Sequence, residues 1–312
     1  MTEIPAAHRP SATVVHGIGI MTVAMLIVPS MDVLAKLLTR EMPALEVAFG
    51  RFVGQLLASV VVALVLGEGR RLIPPKLGGH LLRSLFLAAT SLMFFSALAT
   101  MPLTDALAIA FAEPMILTAV SPWLLGESVG WRRWSACGVG FLGTLMIIRP
   151  SFEAFGVTAL LPLGAAFTFA GYHVMTRRLA GEGGLVAVQF VTGLVGTAAL
   201  GLALVAVASL GLLAQPPVVP SGLSMVWFLG IGVLSFLTHG MIVRAFEFAP
   251  AAVLAPFGYL EIVSATILGY LVFGDFPDGP TWGGIALIMA SGLYIVHRER
   301  RKGRVGELTP PE

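Results

Sequence analysis

The stretch FAEPMILTAV, residues 111 to 120, places one carboxylate, Glu113, inside an apolar segment. Far downstream, GYLEIVSATI, residues 258 to 267, does the same with Glu261. A shift of the chain by 148 residues superposes the two segments without a gap. The same shift aligns four further landmarks: Pro102 with Pro250, Gly126 with Gly274, Glu127 with Asp275, and Trp134 with Trp282. The shared order of these landmarks predicts an internal repeat.

The composition indicates a protein embedded in a lipid bilayer. Of the 312 residues, 57% are hydrophobic and 12% are charged, whereas a soluble domain carries roughly 25% charged residues. The first apolar stretch, Val14–Lys36, is too long for the core of a signal peptide, and no small-residue cleavage site follows it, so we expect a retained span. Cys137 is the single cysteine, which excludes an intramolecular disulfide and a cysteine-based metal site. No cofactor is expected.

A membrane-spanning helix needs about 20 mostly apolar residues, and ten segments of the chain fit. Proline and glycine turn signals separate most of them. The predicted spans are Val14–Lys36, Leu45–Leu66, Leu81–Thr100, Leu103–Leu125, Trp134–Ile148, Phe155–Met175, Leu185–Leu213, Leu223–Val243, Ala251–Phe273 and Trp282–Val296. The fold class expected is therefore an all-α membrane protein with ten transmembrane helices.

The distribution of basic residues sets the expected orientation. With the N-terminus in the cytoplasm, 15 of the 19 Lys and Arg residues fall on the inner side, as the positive-inside rule requires. We therefore expect a cytoplasmic N-terminal tail (1–13), a first five-helix repeat (14–150), a second five-helix repeat (151–297) and a basic cytoplasmic C-terminal tail (298–312).

Five spans per half make the two repeats inverted, because an odd number of crossings returns the chain on the opposite side. Glu113 and Glu261 each lie about ten residues into their span, roughly 15 Å deep at 1.5 Å per residue, near the middle of a core about 30 Å thick. A charge at that depth costs about 2.5–3.5 kcal/mol on insertion scales, so such residues usually face a bundle interior or a wet cavity. A functional role and a structural one, in which each glutamate only holds helices together, both remain open.

The sequence resembles the EamA-type family of drug/metabolite transporters over nearly its whole length. The resemblance rests on the two five-span halves, MDVLAKLL (31–38), FGRF (49–52), and the LLGE and VFGD endings of spans four and nine. It implies a ten-helix secondary transporter with both termini inside and a central cavity between the halves. Many members export amino acids or other metabolites. Members with a similar aspartate, lysine and arginine set include uptake systems for S-adenosylmethionine and, in some bacteria, riboflavin.

Seven residues are candidates for substrate binding or coupling. Asp32 and Lys36 are four residues apart and can form an i,i+4 ion pair, either to neutralise each other or to act as an outer gate or substrate contact. Arg51 needs a carboxylate or several carbonyls if it is buried. Asp32 or Glu113 could supply one, and Arg51 is the first candidate for meeting an anionic or carbonyl group of the substrate.

His173 and His239 complete the set with Glu113 and Glu261. Both histidines lie about 17 residues into their predicted spans, towards the cytoplasmic side. Histidine changes charge near neutral pH and can relay protons, although a hydrogen-bonding role between helices fits as well. No group of residues carries a catalytic motif, so we expect a transporter rather than an enzyme.

The partners expected are the bilayer, at the bacterial inner membrane, and a small-molecule substrate; nucleic acid is not expected. An amino acid-like, zwitterionic or neutral metabolite is the first choice, with uptake of riboflavin or S-adenosylmethionine as the alternative. A channel or an intramembrane enzyme is a remote alternative. Glycines in spans five and ten, such as Gly138, Gly140 and Gly143, favour close helix packing and leave a homodimer open.

Overall fold

A computed structural model describes residues 12–69, 72–125, 130–179, 181–213, 216–249 and 254–306, and every regular element in these ranges is helical. The α-helices are α1 (Ala12–Leu38), α2 (Ala44–Val65), α3 (Leu77–Leu98), α4 (Leu103–Ala110), α5 (Glu113–Leu125), α6 (Trp131–Phe155), α7 (Leu161–Arg178), α8 (Leu185–Ser209), α9 (Leu223–Phe248), α10 (Leu260–Phe273) and α11 (Gly279–Gly306). Short 3₁₀ segments, Gly156–Leu160 and Ala255–Tyr259, precede α7 and α10. The expected all-helical fold is confirmed.

Seven helical segments are long and apolar enough to cross a membrane. One of them, Trp134–Thr176, has 43 residues and runs through both α6 and α7, with a turn at Gly156, where φ is +64°. A shorter apolar helical segment covers Phe257–Phe273. The chain is thus a multi-pass membrane protein. The count of ten stays a prediction. Two predicted spans share one long segment, and α10 and α11 are not among the seven helical segments that are long and apolar enough to cross a membrane.

Both glutamate-bearing spans depart from regular α-helical geometry shortly before the glutamate. Between α4 and α5 the chain turns at residues 111 and 112, and α5 starts with Glu113 and Pro114. Proline is tolerated in the first turn of a helix, where its missing N–H would have no partner. In the second half, the 3₁₀ segment Ala255–Tyr259 ends two residues before Glu261, which lies in the first turn of α10. Both carboxylates therefore lie at helix N-termini, where the helix dipole favours negative charge.

Contacts between the halves are reciprocal. The 148-residue shift places Phe111 on Tyr259, and the rings of these two residues stack with centroids 5.7 Å apart. Between α6 and α11, Gly143 faces the Gly284 carbonyl, and Ser291 donates to the Ala136 carbonyl at 2.5 Å. The shift exchanges these two contacts, because it places Ala136 on Gly284 and Gly143 on Ser291. Such exchange fits two halves related by a two-fold axis.

The glycines of span five are used mainly inside the chain. A Cβ at Gly143 would lie 2.8 Å from the Gly284 carbonyl oxygen, and one at Gly140 would lie 2.9 Å from Ser291 Oγ. Only small residues permit this approach of α6 to α11. Gly138, by contrast, has open space on its Cβ side. A homodimer through this helix stays a prediction, and most of the glycines invoked for it already have a partner within the chain.

Candidate functional site

Glu113 forms its polar contact with the other half of the chain. Its carboxylate lies 2.9 Å from His173 Nδ1 of α7, and the two side chains are 10% and 36% exposed. His173 was expected towards the cytoplasmic end of its span, whereas the structure places it beside Glu113. The reason is that α7 begins at Leu161 rather than at residue 155, so His173 lies twelve residues into its helix. The histidine ring also packs on Phe169, with centroids 4.4 Å apart.

Glu261 occupies the equivalent position in the second half, and its surroundings differ. Asp32 of α1 is twelve residues before the start of α2, as His173 is twelve residues before the start of α8, so the two residues are counterparts. Glu261 accordingly faces the charges of Asp32 and Glu113. Among the described residues, no hydrogen bond or ion pair reaches the Glu261 carboxylate, which is half-buried. Across the two halves, one equivalent site thus pairs a carboxylate with a histidine, and the other sets Glu261 against the charge of Asp32.

Arg51 supplies the positive charge of the centre. It is 3% exposed, and its charge and that of Asp32 act on each other. Its Nε donates to Ser235 Oγ of α9 at 3.1 Å, and its Nη1 donates to Ser91 of α3. The expected carboxylate neighbour is therefore Asp32, while the direct hydrogen bonds go to hydroxyls. We call Asp32, Arg51, Glu113, His173 and Glu261 the central cluster.

A network of uncharged groups fixes α2 beside the central cluster. Gln55, fully buried one turn after Arg51, donates to Gln189 of α8 at 3.3 Å and accepts from Ser235 of α9 at 3.3 Å. Gln189 in turn donates to the Phe236 carbonyl at 3.1 Å. Because Ser235 also accepts from Arg51, this network holds the guanidinium in place.

The predicted ion pair between Asp32 and Lys36 is wrong. Lys36 Nζ lies 2.6 Å from Asp275 Oδ2, in the segment after α10, and packs over the Phe273 ring at 4.6 Å. Asp32, one helical turn before Lys36, is 3% exposed and is buried within the helix bundle. The i,i+4 spacing permits the pair within one helix, but the long lysine side chain reaches the opposite half, where an acid lies at the same end of the bundle.

Arg83 is a buried cation that was not among the seven candidates. It lies six residues into α3 and is 3% exposed. It donates to Thr176 at 2.8 Å, to Tyr172 at 2.8 Å and to Thr192 at 3.4 Å, all on the opposite half. Tyr172 directly precedes His173, so Arg83 stabilises the turn of α7 that carries the partner of Glu113. The apolar residues on both sides of Arg83 were the available signal.

His239 makes no hydrogen bond to a residue of the central cluster among the described residues. Its Nδ1 bonds to the Ser235 carbonyl of its own helix at 3.0 Å. The charges of Arg51, Arg83 and His173 all act on it, so it borders the central cluster. The structure therefore brings five of the seven candidates together, places His239 beside them, and moves Lys36 to the end of the bundle.

The central cluster presents both signs of charge. Two neighbouring carboxylates in a low-dielectric interior repel each other unless a proton or a cation lies between them. Arg51 offers planar donors suited to a carboxylate. The stacked rings of Phe111 and Tyr259 lie at the junction of the halves, close in sequence to the two glutamates.

Comparison with known proteins gives a consistent result. Residues 15–149 and 156–297 match the sequence model of the EamA-like transporter family. An S-adenosylmethionine uptake transporter of Rickettsia felis is 27% identical over 93% of this chain and 95% of its own length. A riboflavin transporter of Vibrio cholerae is 31% identical over 84% of this chain and 86% of its own length. A solved crystal structure aligns with a TM-score of 0.64 and 21% identity, over 92% of this chain and 98% of that one, which supports the fold.

Proposed function

Because the chain belongs to the EamA-like transporter family, we propose that it is a secondary transporter for a small metabolite that carries an amino acid group. The two halves, residues 14–150 and 151–297, would alternate access to the central cluster from the two sides of the membrane. Chains similar to this one over most of their length are transporters of small metabolites. The ligand chemistry is our proposal.

The observation that carries the proposal is the carboxylate of Glu261, which lacks a bonded partner among the described residues and faces the charges of Asp32 and Glu113. Because Glu113 pairs with His173, the carboxylates of Asp32 and Glu261 share the one guanidinium of Arg51, and the central cluster is short of positive charge when both are ionised. A ligand with an ammonium or sulfonium group would supply it, while its own carboxylate would accept from the guanidinium donors of Arg51 that Ser235 and Ser91 leave free. An uncharged ligand would leave Glu261 uncompensated, and buried charges are stable only when paired or hydrogen-bonded.

S-adenosylmethionine combines these features in one molecule. Its methionine portion is zwitterionic, its sulfonium is a second cation, and its adenine is a flat ring that could stack on Phe111 or Tyr259. Four relatives from Rickettsia species are named for its uptake, the first of them 27% identical to this chain. We therefore place compounds of this class first, and simple amino acids next to them.

Riboflavin is the second candidate, and a specific observation favours it. Relatives named as riboflavin transporters occur in Vibrio cholerae and Rhizobium johnstonii, at 31% and 29% identity. A flavin would use the aromatic surface more than the charges. The two candidates differ sharply in charge, so variants that remove a charge from the central cluster should affect the binding of one and not of the other.

The membrane arrangement belongs to the same proposal. A helix rises 1.5 Å per residue, so the 43 residues of Trp134–Thr176 amount to about 65 Å of helix on the two sides of the turn at Gly156, twice a bilayer core of roughly 30 Å. Counting it as two spans, and counting α10 and α11 as one each, gives ten spans with both termini in the cytoplasm. Transport, rather than channel conduction or an enzymatic reaction, follows from the family.

A thermal-shift screen of the purified protein tests the ligand. A ligand that binds the folded state raises Tm, because it stabilises that state by about 2.7 kcal/mol when its concentration is 100 times Kd. We expect S-adenosylmethionine to raise Tm in the wild type and to have no effect in Glu261→Gln. A shift with riboflavin that persists in Glu261→Gln, without any shift from S-adenosylmethionine, would reverse the order of the two candidates.

A further inference from the structure

An ion pair joins the two halves at the end of the bundle where α1 ends, which we call the distal end. Lys36 Nζ lies 2.6 Å from Asp275 Oδ2, with the lysine side chain 12% exposed and the aspartate 28% exposed. Lys36 belongs to the last turn of α1, and Asp275 follows the last residue of α10 by two positions. The pair therefore connects the first helix of one half to the fourth span of the other.

A cleft of about 330 Å³ opens beside this pair. Its described lining contains two cations, Lys36 and Arg40, and one acid, Asp275. Both cations also lie over the Phe273 ring, at 4.6 and 5.1 Å. The excess of positive charge makes the cleft attractive to an anionic group, and its volume lies at the small end of the range for ligand pockets.

The opposite, proximal end carries a contact at the corresponding place of the inverted half. Arg178, the last residue of α7, donates to the Leu124 carbonyl near the end of α5. In the repeat, α7 corresponds to α1 and α5 corresponds to α10. At each end, a cation from the first helix of one half thus binds the end of the fourth span of the other half.

We propose that the Lys36–Asp275 pair is the distal gate and that Lys36 receives the carboxylate of the incoming substrate in exchange for Asp275. The choice of a carboxylate rests on the proposed function, whereas the gate itself does not. Opening of the distal side must separate α1 from the end of α10, and the ion pair is the polar contact that joins them at the mouth of the cleft. Asp32 lies four residues before Lys36, about 6 Å along the helix, so a ligand held at Lys36 is one turn from the central cluster.

The ion pair of the gate is weak because it is partly exposed. Both members reach solvent through the cleft, and an ion pair of this kind changes an equilibrium by roughly fivefold or less. A substrate carboxylate at moderate concentration can therefore compete with Asp275 for the lysine. A deeply buried pair would not exchange so readily.

Spin-label distance measurements on the reconstituted protein test the gate. The single cysteine permits a Cys137→Ala background with labels at Thr100→Cys and Phe276→Cys, two exposed positions on the two halves at the distal end. In Lys36→Met and in Asp275→Asn, the distance distribution should gain a longer component. The open-to-closed ratio should rise up to about fivefold. The charge swap Lys36→Asp with Asp275→Lys should restore the short distance.

The matched control is Lys76→Met, which breaks the 2.7 Å Lys76–Glu182 pair at the proximal end. It should leave the distal distance unchanged. An unchanged distribution in both Lys36→Met and Asp275→Asn, with the protein monodisperse and helical, would overturn the gate. The charge swap guards against misfolding, because it keeps both charges.

The substrate step is tested on the wild-type labels with S-adenosylmethionine and with its decarboxylated analogue. The first should increase the longer component and the second should not, because only the first can take Lys36 from Asp275. Equal effects of the two compounds would overturn the exchange at Lys36. If neither compound acts while Lys36→Met still opens the distal side, the ligand class is wrong and the gate stands.

Discussion

The unequal surroundings of the two glutamates predict unequal effects of the same substitution. Glu113→Gln replaces a charged hydrogen bond to His173 by a neutral one. Hydrogen bonds to charged groups contribute about 1.5–3 kcal/mol and neutral ones about 1 kcal/mol. The His173 side chain is 36% exposed, so solvent reduces the difference, and we expect a loss of about 0.5–1 kcal/mol.

Glu261→Gln removes a carboxylate that has no bonded partner among the described residues. No hydrogen bond is lost, and a half-buried charge facing Asp32 and Glu113 is replaced by a neutral amide. The free energy of unfolding should therefore stay the same or rise. Transport should be abolished, because the variant can no longer compensate the cation of the substrate.

The assay is thermal unfolding of both variants in one detergent, together with uptake into proteoliposomes. At roughly 2–4 °C per kcal/mol, Glu113→Gln should lower Tm by about 1–4 °C, and Glu261→Gln should not lower it. A larger fall in Tm for Glu261→Gln than for Glu113→Gln would refute the assignment of the partners. Normal transport by both variants across a range of pH would show that the carboxylates are structural.

Three further substitutions test individual side-chain environments. Arg83→Met should lower the free energy of unfolding by about 1.5–3 kcal/mol, measured by thermal unfolding, because a tyrosine hydroxyl on the opposite half loses its described partner; an unchanged Tm would contradict this. Gly143→Leu should destabilise by about 1–3 kcal/mol through overpacking against the Gly284 carbonyl 2.8 Å away, whereas Gly138→Leu, which has open space, should not; equal Tm values would disprove the packing. Arg51→Lys should raise KM for uptake roughly tenfold with the protein still inserted, since a lysine cannot reproduce the two-point contact of the guanidinium; an unchanged KM would remove Arg51 from the binding site.

Periodic and symmetric features could be predicted from the sequence. The landmarks around Glu113 and Glu261 recur at a constant spacing, and in the structure an α-helix begins at or one residue before each glutamate. The shift that aligns the glutamates also aligns Phe111 with Tyr259, and these rings are in contact. The repeat can be recognised from the sequence alone because the same landmark residues occur in the same order in both halves.

The pairing of individual charges could not be predicted. Lys36 has an acid four residues before it in its own helix and binds another 239 positions away. Nothing in local spacing distinguishes the two, because the choice depends on how the halves pack. The role of Arg83 was missed for a related reason. Its nearness to the start of α3 gives no sign that its guanidinium is buried among three hydroxyls of the opposite half.

Counterflow in proteoliposomes tests the central claim most directly. Vesicles loaded with unlabelled S-adenosylmethionine and diluted into a trace of labelled compound should show a transient, saturable accumulation of label. Empty vesicles and vesicles with Glu261→Gln should not show it. Accumulation that does not saturate, or that persists in Glu261→Gln, would contradict an alternating-access carrier that uses the central cluster.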